Sequence, residues 1–409
     1  MTQINQKNTK TPCQALMGNK KEKVQKNVPT LRFGRFNGDW EEKRLGDIAD
    51  FLKGKGISKK DVKKDAENKC IRYGELYTEY NETINDVVSK TNVKKEGSVL
   101  SERNDLLIPS SGETNIDIAT VSCLEKEGII LGGDINIIKL QKDNNGEFFS
   151  YYLSNYKKKE LARFGQGHSV VHLYSNHFKN IKINIPQKEE QKKIADFLSG
   201  VDEYIVNLEE QKEELEKYKK GTMQKIFSRK IRFHDKNGNS FPDWEEKRLG
   251  EVAEVYQPKT ISQTELKKEG FSVYGANGII GKYNKYNHKK EQIAVTCRGN
   301  TCGVVNFTKP KSWITGNAMV INLDNSNNTL KFFIYYQLIN TELGYLITGS
   351  GQPQITGDIK KHKINLPTLP EQKKIADFLS SIDEIIQLKD QQITKAKNWK
   401  KGLMQRLFV

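Results

Sequence analysis

Three words of eight to ten residues occur twice in this chain, in the same order. DWEEKRLG, at residues 39–46, returns unchanged at 243–250. EQKKIADFLS, at 190–199, returns at 371–380, and KGTMQKIF, at 220–227, is echoed by KGLMQRLF at 401–408. A period of about 200 residues is too long for a solenoid and indicates two copies of a whole domain unit.

The spacing of the words shows which part of the unit is copied. The first word recurs after 204 residues, from 39 to 243, whereas the other two recur after 181, from 190 to 371 and from 220 to 401. The stretches between them, about 47–185 and 251–366, show little resemblance to each other. The sequence therefore predicts a duplicated frame that holds two different inserts.

Composition indicates which kind of partner the chain binds and in which cellular compartment it works. The 409 residues should form two or three domains. A formal charge of +16 and a pI near 9.3 favour a polyanionic partner, nucleic acid first, although lysine-rich proteins from AT-rich genomes are also basic. Five scattered cysteines indicate a reducing cytosol, and no apolar run reaches membrane-spanning length. We expect a cytoplasmic protein.

The first thirty residues are rich in Lys, Asn, Gln and Thr and lack the hydrophobic core of a signal peptide. We expect residues 1–30 to be a disordered basic leader, with contact to DNA phosphates as the alternative role.

Each copy ends in a segment with apolar residues at three- and four-residue steps, the pattern of a coiled-coil seam. The first ladder is Ile194, Phe197, Val201, Tyr204, Leu208, Leu215 and Tyr218, and the second is Ile375, Phe378, Ile382, Ile385, Ala396 and Trp399. Leu198 and Ile205 widen the first stripe, and Leu379 and Ile386 widen the second. Each helix should run about 38 residues, or about 57 Å. A helix that long cannot fold inside a compact domain, so we expect the two helices to pack against each other. They should be antiparallel if a twofold axis relates the two copies.

The inserts have the pattern of mixed α/β domains, which gives an α+β fold class for the chain. Strand-like runs are 128–131, 135–140, 181–185, 292–297, 319–323 and 363–366, and short helices are expected at 151–164 and 331–346.

The two ends of the chain complement each other. After residue 227 the first copy continues to IRF at 231–233, but the second copy stops at 409. The missing triplet appears at the other end, as LRF at 31–33. The order insert, helix, insert, helix therefore closes on itself, and we expect a circular, pseudo-twofold arrangement.

This arrangement resembles the specificity subunit of type I restriction–modification enzymes. The resemblance covers residues 31–409 and rests on the helix words, which are Ile185-Pro186, 190–199 and Asp202, with Leu366-Pro367, 371–380 and Asp383. It implies target recognition domains at 31–186 and 233–367, each binding one half of a split, asymmetric site in double-stranded DNA. It also implies spacer helices at 187–232 and 368–409.

The resemblance further implies partners. The helices would dock two methyltransferase (modification) subunits, which carry S-adenosylmethionine. Restriction (motor–nuclease) subunits, which use ATP and Mg²⁺, would join through them. The chain itself would bind no cofactor and would have no catalytic residues. The sequence has no GxxxxGK phosphate loop and no (Asn/Asp)-Pro-Pro-aromatic word of the kind typical of amino-methyltransferases.

Candidate base-reading residues combine glycine turns with side chains that suit base edges, since Arg suits guanine, Gln suits adenine, and Ser or Thr suits either. In the first insert they are Arg72, Tyr73, Ser110, Ser111, Glu113, Thr114, Gln166, His168 and Ser169. In the second they are Tyr274, Asn277, Tyr283, Arg298, Asn300, Thr301, Gln352 and Gln354. Ordinary turn chemistry is the alternative for each of them.

Two further sets of residues come from the repeated words. The EQKK word predicts a partner-docking face at Glu190, Gln191, Lys192, Lys193, Glu371, Gln372, Lys373 and Lys374, with a solvated face as the alternative. Trp40 and Trp244 are expected to anchor the joint between insert and helix rather than to stack on bases.

Two alternative functions remain open at this point. A self-contained DNA-modifying enzyme would methylate or cut DNA without a partner. A coiled-coil adaptor would bind DNA in a salt-dependent way without discriminating sequences. We expect no metal site, since Gly167 and the Val170-Val171 pair disfavour a helix that would align His168 and His172.

Overall fold

In a computed structural model the chain divides into two compact units, and the structure describes residues 27–276, 278–349 and 351–409. Unit 1 is Met1–Tyr204 with Ala396–Val409, and unit 2 is Ile205–Lys395. The predicted leader lies outside the described residues except for its last four. Across the described ranges, no helix is both long and apolar enough to span a membrane.

Unit 1 contains a five-stranded sheet in the order β2-β10-β6-β8-β4 and three smaller ones, β1-β12, β11-β7 and β5-β3-β9. Its strands are β1 Glu41–Arg44, β2 Ala49–Lys53, β3 Asn68–Ile71, β4 Thr83–Ile84, β5 Lys90–Thr91, β6 Asp105–Pro109, β7 Ser111–Gly112, β8 Ser122–Leu124, β9 Ile130–Leu131, β10 Ile135–Leu140, β11 Val171–His172 and β12 Lys182–Ile185. Its helices are α1 Glu75–Thr78, α2 Gly146–Tyr151, a π-helical turn Tyr152–Tyr156, α3 Lys158–Ala162, α4 Ser175–Phe178 and the start of α5 Lys188–Phe227, with 3-10 turns at Leu45–Asp47 and Lys59–Asp61.

Unit 2 contains a four-stranded sheet in the order β14-β20-β17-β18 and two smaller ones, β16-β15-β19 and β13-β21. Its strands are β13 Glu245–Arg248, β14 Glu254–Tyr256, β15 Phe271–Gly275, β16 Gly278–Tyr283, β17 Ile293–Thr296, β18 Val305–Phe307, β19 Trp313–Ile314, β20 Ala318–Asn322 and β21 Lys363–Leu366. Its helices are α6 Leu249–Val252, α7 Lys331–Asn340 and most of α8 Leu369–Arg406, with 3-10 turns at Gln263–Glu265, Leu343–Leu346 and Gly357–Lys361.

The main sheets of the two inserts have the same strand order. Four neighbours in unit 1, β2-β10-β6-β8, correspond to β14-β20-β17-β18 in unit 2, and every adjacent pair is antiparallel. The predicted strands at 135–140 and 363–366 are confirmed with the same bounds. The mixed α/β expectation is confirmed, and the lack of resemblance between the insert sequences does not extend to their topology.

The repeated words build the joint between each insert and its helix. Residues of the first word form β1 and β13, which pair with β12 and β21 in the same register, Glu41 opposite Ile185 and Glu245 opposite Leu366. Trp40 is buried and meets Phe148 edge-on at 5.8 Å, and Trp244 meets Phe333 edge-on at the same 5.8 Å. The expectation that both tryptophans are packing anchors is confirmed.

The triplets LRF and IRF make equivalent contacts, one in each unit. The backbone N–H of Leu31 donates to the carbonyl of Arg406 at 2.9 Å, and that of Ile231 donates to Lys225 at 3.1 Å. In unit 1, Phe33 then lies edge-on against Phe197 at 5.6 Å. The residues on α5 and α8 that receive these contacts are 181 positions apart, from 225 to 406, which is the period of the helix words.

The long helices bury a narrower stripe than the predicted ladders. Helix α5 runs 40 residues and α8 runs 38. Buried positions include Ile194, Leu198, Val201, Ile205 and Leu208 on α5 and Ile375, Leu379, Ile382, Ile393 and Ala396 on α8. The predicted ladder members Tyr204, Tyr218, Ile385 and Trp399 are instead about half exposed. Tyr204 precedes the buried Ile205, so it is turned by about 100° away from the stripe.

A polar cluster, here called the polar anchor, joins each insert to its helices. In unit 1 the Tyr151 hydroxyl donates to Asp202 at 2.7 Å, and the Lys400 ammonium lies 2.7 Å from Asp202 and 3.1 Å from Glu82. In unit 2 the polar anchor is Tyr336, Asp383 and Lys219, with Tyr336 donating to Asp383 at 2.7 Å.

Opposite charges dominate the polar anchor of unit 1. Burial alone would raise the pKa of Glu82, but the nearby Lys400 ammonium and a hydrogen bond from Asn155 lower it instead. Burial would likewise lower the pKa of Lys400, and the carboxylates of Glu82 and Asp202 raise it. Glu82 and Lys400 are therefore both charged near neutral pH.

Candidate nucleic-acid interface

The loops that carry the candidate residues of the first insert meet at one end of its main sheet. Because β2, β10 and β6 are antiparallel neighbours, the end of β2, the start of β10 and the end of β6 share an edge. We call the loops attached there, residues 54–61, 110–117, 132–134 and 165–173, the loop edge of unit 1. The same argument in unit 2 defines its loop edge as residues 257–265, 297–303, 315–317, 347–349 and 351–354.

In unit 1, two of the predicted segments are held together by a short ladder. Strands β7 and β11 pair, with Ser111 opposite His172, and the Ser111 hydroxyl lies 3.0 Å from the His172 ring Nδ1. Gln166 and His172 exchange two backbone hydrogen bonds of 2.9 and 2.8 Å, which closes a hairpin over residues 166–172. Within these segments Glu113, Gln166, His168 and Ser169 are exposed, as is Thr114.

Several candidate residues at this edge have structural roles. Ser110 and Ser111 are buried, so the prediction that they contact bases is corrected. Ser110 lies between strands, where its backbone carbonyl accepts from Leu173, and Ser111 holds His172. Thr114 is exposed, but its hydroxyl donates to Asp117 at 2.7 Å and stabilises the turn.

Arg72 and Tyr73 follow β3 beside the same loops. The backbone N–H of Gly132 donates to the Ile71 carbonyl at 2.9 Å, which places the next residues along the edge. The Arg72 Nε donates to the buried Glu75 carboxylate at 2.8 Å, so part of its guanidinium is occupied. Tyr77 is a neighbour of both Tyr73 and the 110–117 loop. Burial raises the pKa of Tyr77, and Tyr73 and the carboxylates of Glu113 and Asp117 raise it further. All candidates of the first insert therefore lie at one edge.

The loop edge of unit 2 has a matching hairpin. Thr348 and Gln354 exchange two backbone hydrogen bonds of 2.9 Å, and the Gly299 N–H donates to the Pro353 carbonyl at 3.1 Å. The Thr301 hydroxyl donates to the Ala276 carbonyl at 2.5 Å. These contacts bring together Arg298, Asn300, Thr301, Gln352 and Gln354, and all except the half-buried Thr301 are exposed.

Two tyrosines predicted for the second interface have other roles. Tyr274 is buried, and its hydroxyl accepts from the Lys309 backbone N–H at 3.0 Å, so it belongs to the core. Tyr283 lies opposite Phe271, at the far end of the β15–β16 hairpin and about 13 Å along the strand from its turn. There it packs edge-on against Trp313 at 5.2 Å. Asn277 lies outside the described residues.

A glycine with positive φ stands at the same position in the two edge hairpins. Gly167 has φ +128°, and a Cβ there would lie 2.0 Å from the Val170 carbonyl oxygen. Gly349 has φ +87°, and a Cβ there would lie 2.7 Å from the Gln352 carbonyl oxygen. Each glycine is the second residue of a hairpin closed by residues six positions apart, 166 with 172 and 348 with 354. A side chain cannot be added at either position without moving the backbone.

Sequence reasoning missed one cluster at the loop edge of unit 1. Tyr174 is 44% exposed, with the Lys53 ammonium 5.6 Å from its ring centre and the His172 ring stacked at 6.2 Å. A signal for part of this edge was present in the sequence. The dipeptide Ile-Ser recurs at 57–58 and 261–262 with the 204-residue spacing of the first word. In both places the serine N–H donates to an acidic side chain three residues on.

The EQKK words are only partly available to a partner. Glu190 is 1% exposed and binds the Arg32 guanidinium through two bonds of 2.8 and 2.7 Å, and the buried Glu371 binds Arg232 in the same way. The docking role predicted for these two glutamates is therefore corrected, since they neutralise an arginine of the LRF or IRF triplet.

The glutamines of the same words are also corrected to structural roles. Gln191 accepts from the Asn145 N–H at 2.9 Å, and Gln372 accepts from the Leu330 N–H at 2.8 Å. Both are buried. Of the lysines, Lys192, Lys193 and Lys373 are exposed, and Lys374 is half-buried with its ammonium donating to the His234 carbonyl at 2.7 Å.

Among residues 27–276, 278–349 and 351–409, no three His, Cys, Asp or Glu side chains are placed to hold a metal ion. Burial raises the pKa of Cys70 to about 11 and raises that of Cys297, so these thiols are protonated at neutral pH. The loop edges carry exposed amide, guanidinium, carboxylate and imidazole groups, several of them on short hairpins.

Comparison with known proteins gives a consistent result. The model of the type I restriction modification DNA specificity domain matches residues 37–217 and 242–398. The specificity subunit of the type I restriction enzyme MjaVIII from Methanocaldococcus jannaschii is 28% identical over 313 residues, which cover 67% of this chain and 72% of that protein.

Solved structures share the fold. The S subunit of a type I restriction-modification system from M. genitalium superposes with a TM-score of 0.63 at 17% identity, over 93% of this chain and 99% of that one. A chain from a structure of the type I R-M system, solved to explain complex assembly and conformational transition, gives 0.56 at 16% identity, over 90% and 97%. The family model covers most of the chain in two blocks, one for each copy of the frame. This chain therefore belongs to the type I restriction–modification DNA specificity family.

Proposed function

We propose that this chain is the sequence-specific DNA-binding subunit of a type I restriction–modification complex, and that each insert reads one half of a bipartite site. The observation that carries the proposal is the pair of loop edges. They have the same sheet order and the same glycine hairpin, but they carry different exposed side chains. A split, asymmetric DNA site needs two readers of one shape and unlike chemistry.

The exposed side chains suit base edges in the major groove. At the first edge, Gln166 offers the paired donor and acceptor that match adenine, and Glu113 offers an acceptor for the cytosine amino group. At the second, Arg298 matches guanine, and Asn300, Gln352 and Gln354 match adenine. We propose these residues, with His168 and Ser169, as the base contacts, and the 31–186 and 233–367 segments as the recognition domains.

We further propose that α5 and α8 form an antiparallel coiled coil within a circular, pseudo-twofold chain. Two ion pairs support the antiparallel direction, since Lys212 lies 2.6 Å from Asp390 and Lys219 lies 2.5 Å from Asp383. Residue numbers therefore increase along α5 while they decrease along the facing part of α8. The equivalent backbone bonds of Leu31 and Ile231 support the circular closure.

The proposed partners are those implied by the family. Two methyltransferase subunits that carry S-adenosylmethionine would dock on the helices, and restriction subunits that use ATP and Mg²⁺ would join through them. The exposed Lys192, Lys193 and Lys373 are the members of the EQKK words still open to such docking. The chain would contribute recognition and spacing without catalysis.

An insert exchange tests the proposal. Residues 47–185 are replaced by the insert of a related specificity subunit, and the methylated sites of the assembled complex are mapped before and after. One half of the recognised sequence should change and the other should stay. The matched control replaces 251–366, which should change the other half. A change in both halves from either exchange would show that the inserts do not read separately.

A helix insertion tests the spacing role. Seven residues added to both helices keep the apolar stripe in register and lengthen the pair by about 10 Å. The gap between half-sites should then grow by up to about three base pairs, while the half-sites stay the same. Four added residues, the control, rotate the stripe off its partner and should impair assembly. An unchanged gap in an active seven-residue variant would rule out the helices as spacers.

A further inference from the structure

The third repeated word, KGTMQKIF and KGLMQRLF, lines a groove in each unit that none of the proposed roles uses. In unit 1 the groove is about 660 Å³ and lies between the end of the insert's helical stretch and the last turns of α8. Its lining includes Tyr156, Lys159, Lys397, Lys400, Lys401 and Met404.

The same groove occurs in unit 2 with the same frame. It is about 510 Å³, and Lys219, Lys220 and Met223 occupy the positions of Lys400, Lys401 and Met404, each 181 residues earlier. Asn340 on α7 also lines this groove, as Asn155 lines the first. The two grooves therefore come from the duplication and differ only in the side chains added around the frame.

The two grooves differ in the charge of the residues that line them. Four lysines and no carboxylate line the groove of unit 1. Two lysines and three carboxylates, Glu216, Glu342 and Asp383, line the groove of unit 2. A partner that recognised only the common frame would find two equivalent sites, whereas an anionic partner would find one.

The available positive charge in unit 1 comes from Lys159 and Lys401. Lys400 is held between Glu82 and Asp202 in the polar anchor. Lys159 and Lys401 are exposed, and within the described part of the chain neither forms an ion pair. Tyr156, which is 44% exposed, lines the same groove and adds a hydroxyl donor.

The groove is close to the loop edge along the chain. Lys159 lies on α3, seven residues before Gln166, where the edge hairpin begins. Helix α3 ends at Ala162, and seven residues span at most about 25 Å even when fully extended, which is the rise of about seven base pairs. A duplex seated on the loop edge can therefore lay its phosphates along this groove.

We infer that the groove of unit 1 binds the phosphate backbone of DNA next to the half-site read by the first insert. The inference rests on the proposed function and adds an asymmetry to it. Unit 1 makes sequence-independent phosphate contacts through Lys159 and Lys401 that unit 2 does not make. Contacts of this kind set affinity and register on the duplex without carrying sequence information.

The test compares the full-length wild-type chain with the double variant Lys159→Gln/Lys401→Gln. Affinity is measured from about 0.05 to 0.3 M salt on a duplex carrying the site defined by methylation mapping and on one with both half-sites scrambled. Each lost phosphate contact should reduce the slope of log K against log salt by about 0.9, so the double variant should lose about 1.8. At about 0.1 M salt, affinity should fall roughly tenfold or more on both duplexes, leaving their ratio unchanged.

Lys220→Gln is the matched control, because Lys220 is the unit 2 equivalent of Lys401 and lies among carboxylates. It should keep the wild-type slope. A wild-type slope in the double variant, on a chain that still discriminates the two duplexes, overturns the groove assignment. The same result with lost binding of the methyltransferase subunit assigns the groove to a protein partner instead. A wild-type chain that does not discriminate the duplexes would refute the proposed function itself.

Discussion

Unit 1 and unit 2 are alike at the base of the insert and unlike at its loop edge. The base of each has a buried tryptophan, an arginine bound to a buried glutamate, and a glutamine that caps the insert helix. The loop edges share the sheet order, the glycine hairpin and an Ile-Ser turn, but their other exposed side chains differ. The difference shows that the insert is positioned by a few contacts at its base, which leaves the side chains at the edge free to differ.

The bases of the two units differ in two places. The polar anchor of unit 1 has two carboxylates around its lysine, whereas that of unit 2 has one. At the end of the insert, the position of Ile181 in unit 1 holds His362 in unit 2, and both carbonyls accept from the leucine of the first word. Matched substitutions at such positions can measure how far the two units are equivalent.

The largest effect is expected at the arginine–glutamate pairs. Arg32→Met should destabilise unit 1 by about 3–5 kcal/mol, because it leaves the Glu190 carboxylate buried without a partner. Arg232→Met should do the same to unit 2 through Glu371. Hydrogen exchange of peptides from each unit measures the loss separately. Equal loss of protection in both units from either variant would show that the units do not unfold independently.

The polar anchors should differ in strength. Lys400→Met removes the partner of Glu82 and Asp202, whose side chains are 15% and 29% exposed, and should cost about 3 kcal/mol. Lys219→Met leaves only Asp383, which is 39% exposed and screened by water, and should cost about 1 kcal/mol or less. Urea titration followed by exchange in each unit is the measurement. Equal costs would contradict the role assigned to Glu82.

The edge hairpins should respond to one added methyl group. Gly167→Ala forces a Cβ to 2.0 Å from a carbonyl oxygen at φ +128°, and the strain should be about 1–3 kcal/mol. The variant should discriminate less well between duplexes that differ only in the first half-site. Gly349→Ala has a 2.7 Å approach and should weaken reading of the second half-site by a smaller factor. Loss of discrimination at the wrong half-site would show that the hairpins are not the reading elements.

The smallest effect is the pH dependence that a buried histidine contributes to the stability of unit 2. Burial lowers the pKa of His362 below its usual 6.5, so the folded state resists protonation. The stabilisation is complete above about pH 6.5, and it is lost as the pH falls towards the folded-state pKa, since the unfolded state then takes up a proton first. The slope from this group cannot exceed about 1.4 kcal/mol per pH unit.

His362→Ile introduces the residue found at the equivalent position of unit 1 and should flatten the stability of unit 2 between pH 7 and pH 5. Some slope should persist, because burial also lowers the pKa of His288 in the same unit. Thermal unfolding of the variant across this range is the check. A pH profile identical to wild type would exclude His362 as the titrating group.

Much of the frame could be predicted from the repeated words, because their contacts are local or repeat with a constant spacing. Two long helices, the tryptophan joints and the LRF and IRF triplets all follow from words that recur after 204 or 181 residues. Hydrophobic periodicity was less accurate. It placed Tyr204 and Trp399 in the buried seam, where the structure exposes them, because a seven-residue ladder does not specify which side of a helix meets its neighbours.

The candidate site was predicted as a set of loops and not as a set of residues. The sequence identifies Gln166, Arg298 and Gln354 as polar residues in glycine turns, and the structure exposes them at the loop edges. It could not distinguish them from Ser110 or Tyr274, which have similar turn contexts but are buried. Burial of a turn residue depends on which distant strand covers it.

The sequence by itself determined that the chain is a duplicated frame around two different inserts, since identical words at fixed intervals require equivalent local structure. Only the tertiary structure decided that the two inserts have one sheet order, that Glu190 and Glu371 are buried behind arginines, and that the two grooves differ in charge. The main sheets pair residues up to 91 positions apart, from 49 to 140, and the two arginine–glutamate pairs join residues 158 and 139 positions apart. Backbone hydrogen bonding and packing can impose the same order on unrelated side chains, so no comparison of letters could have revealed it.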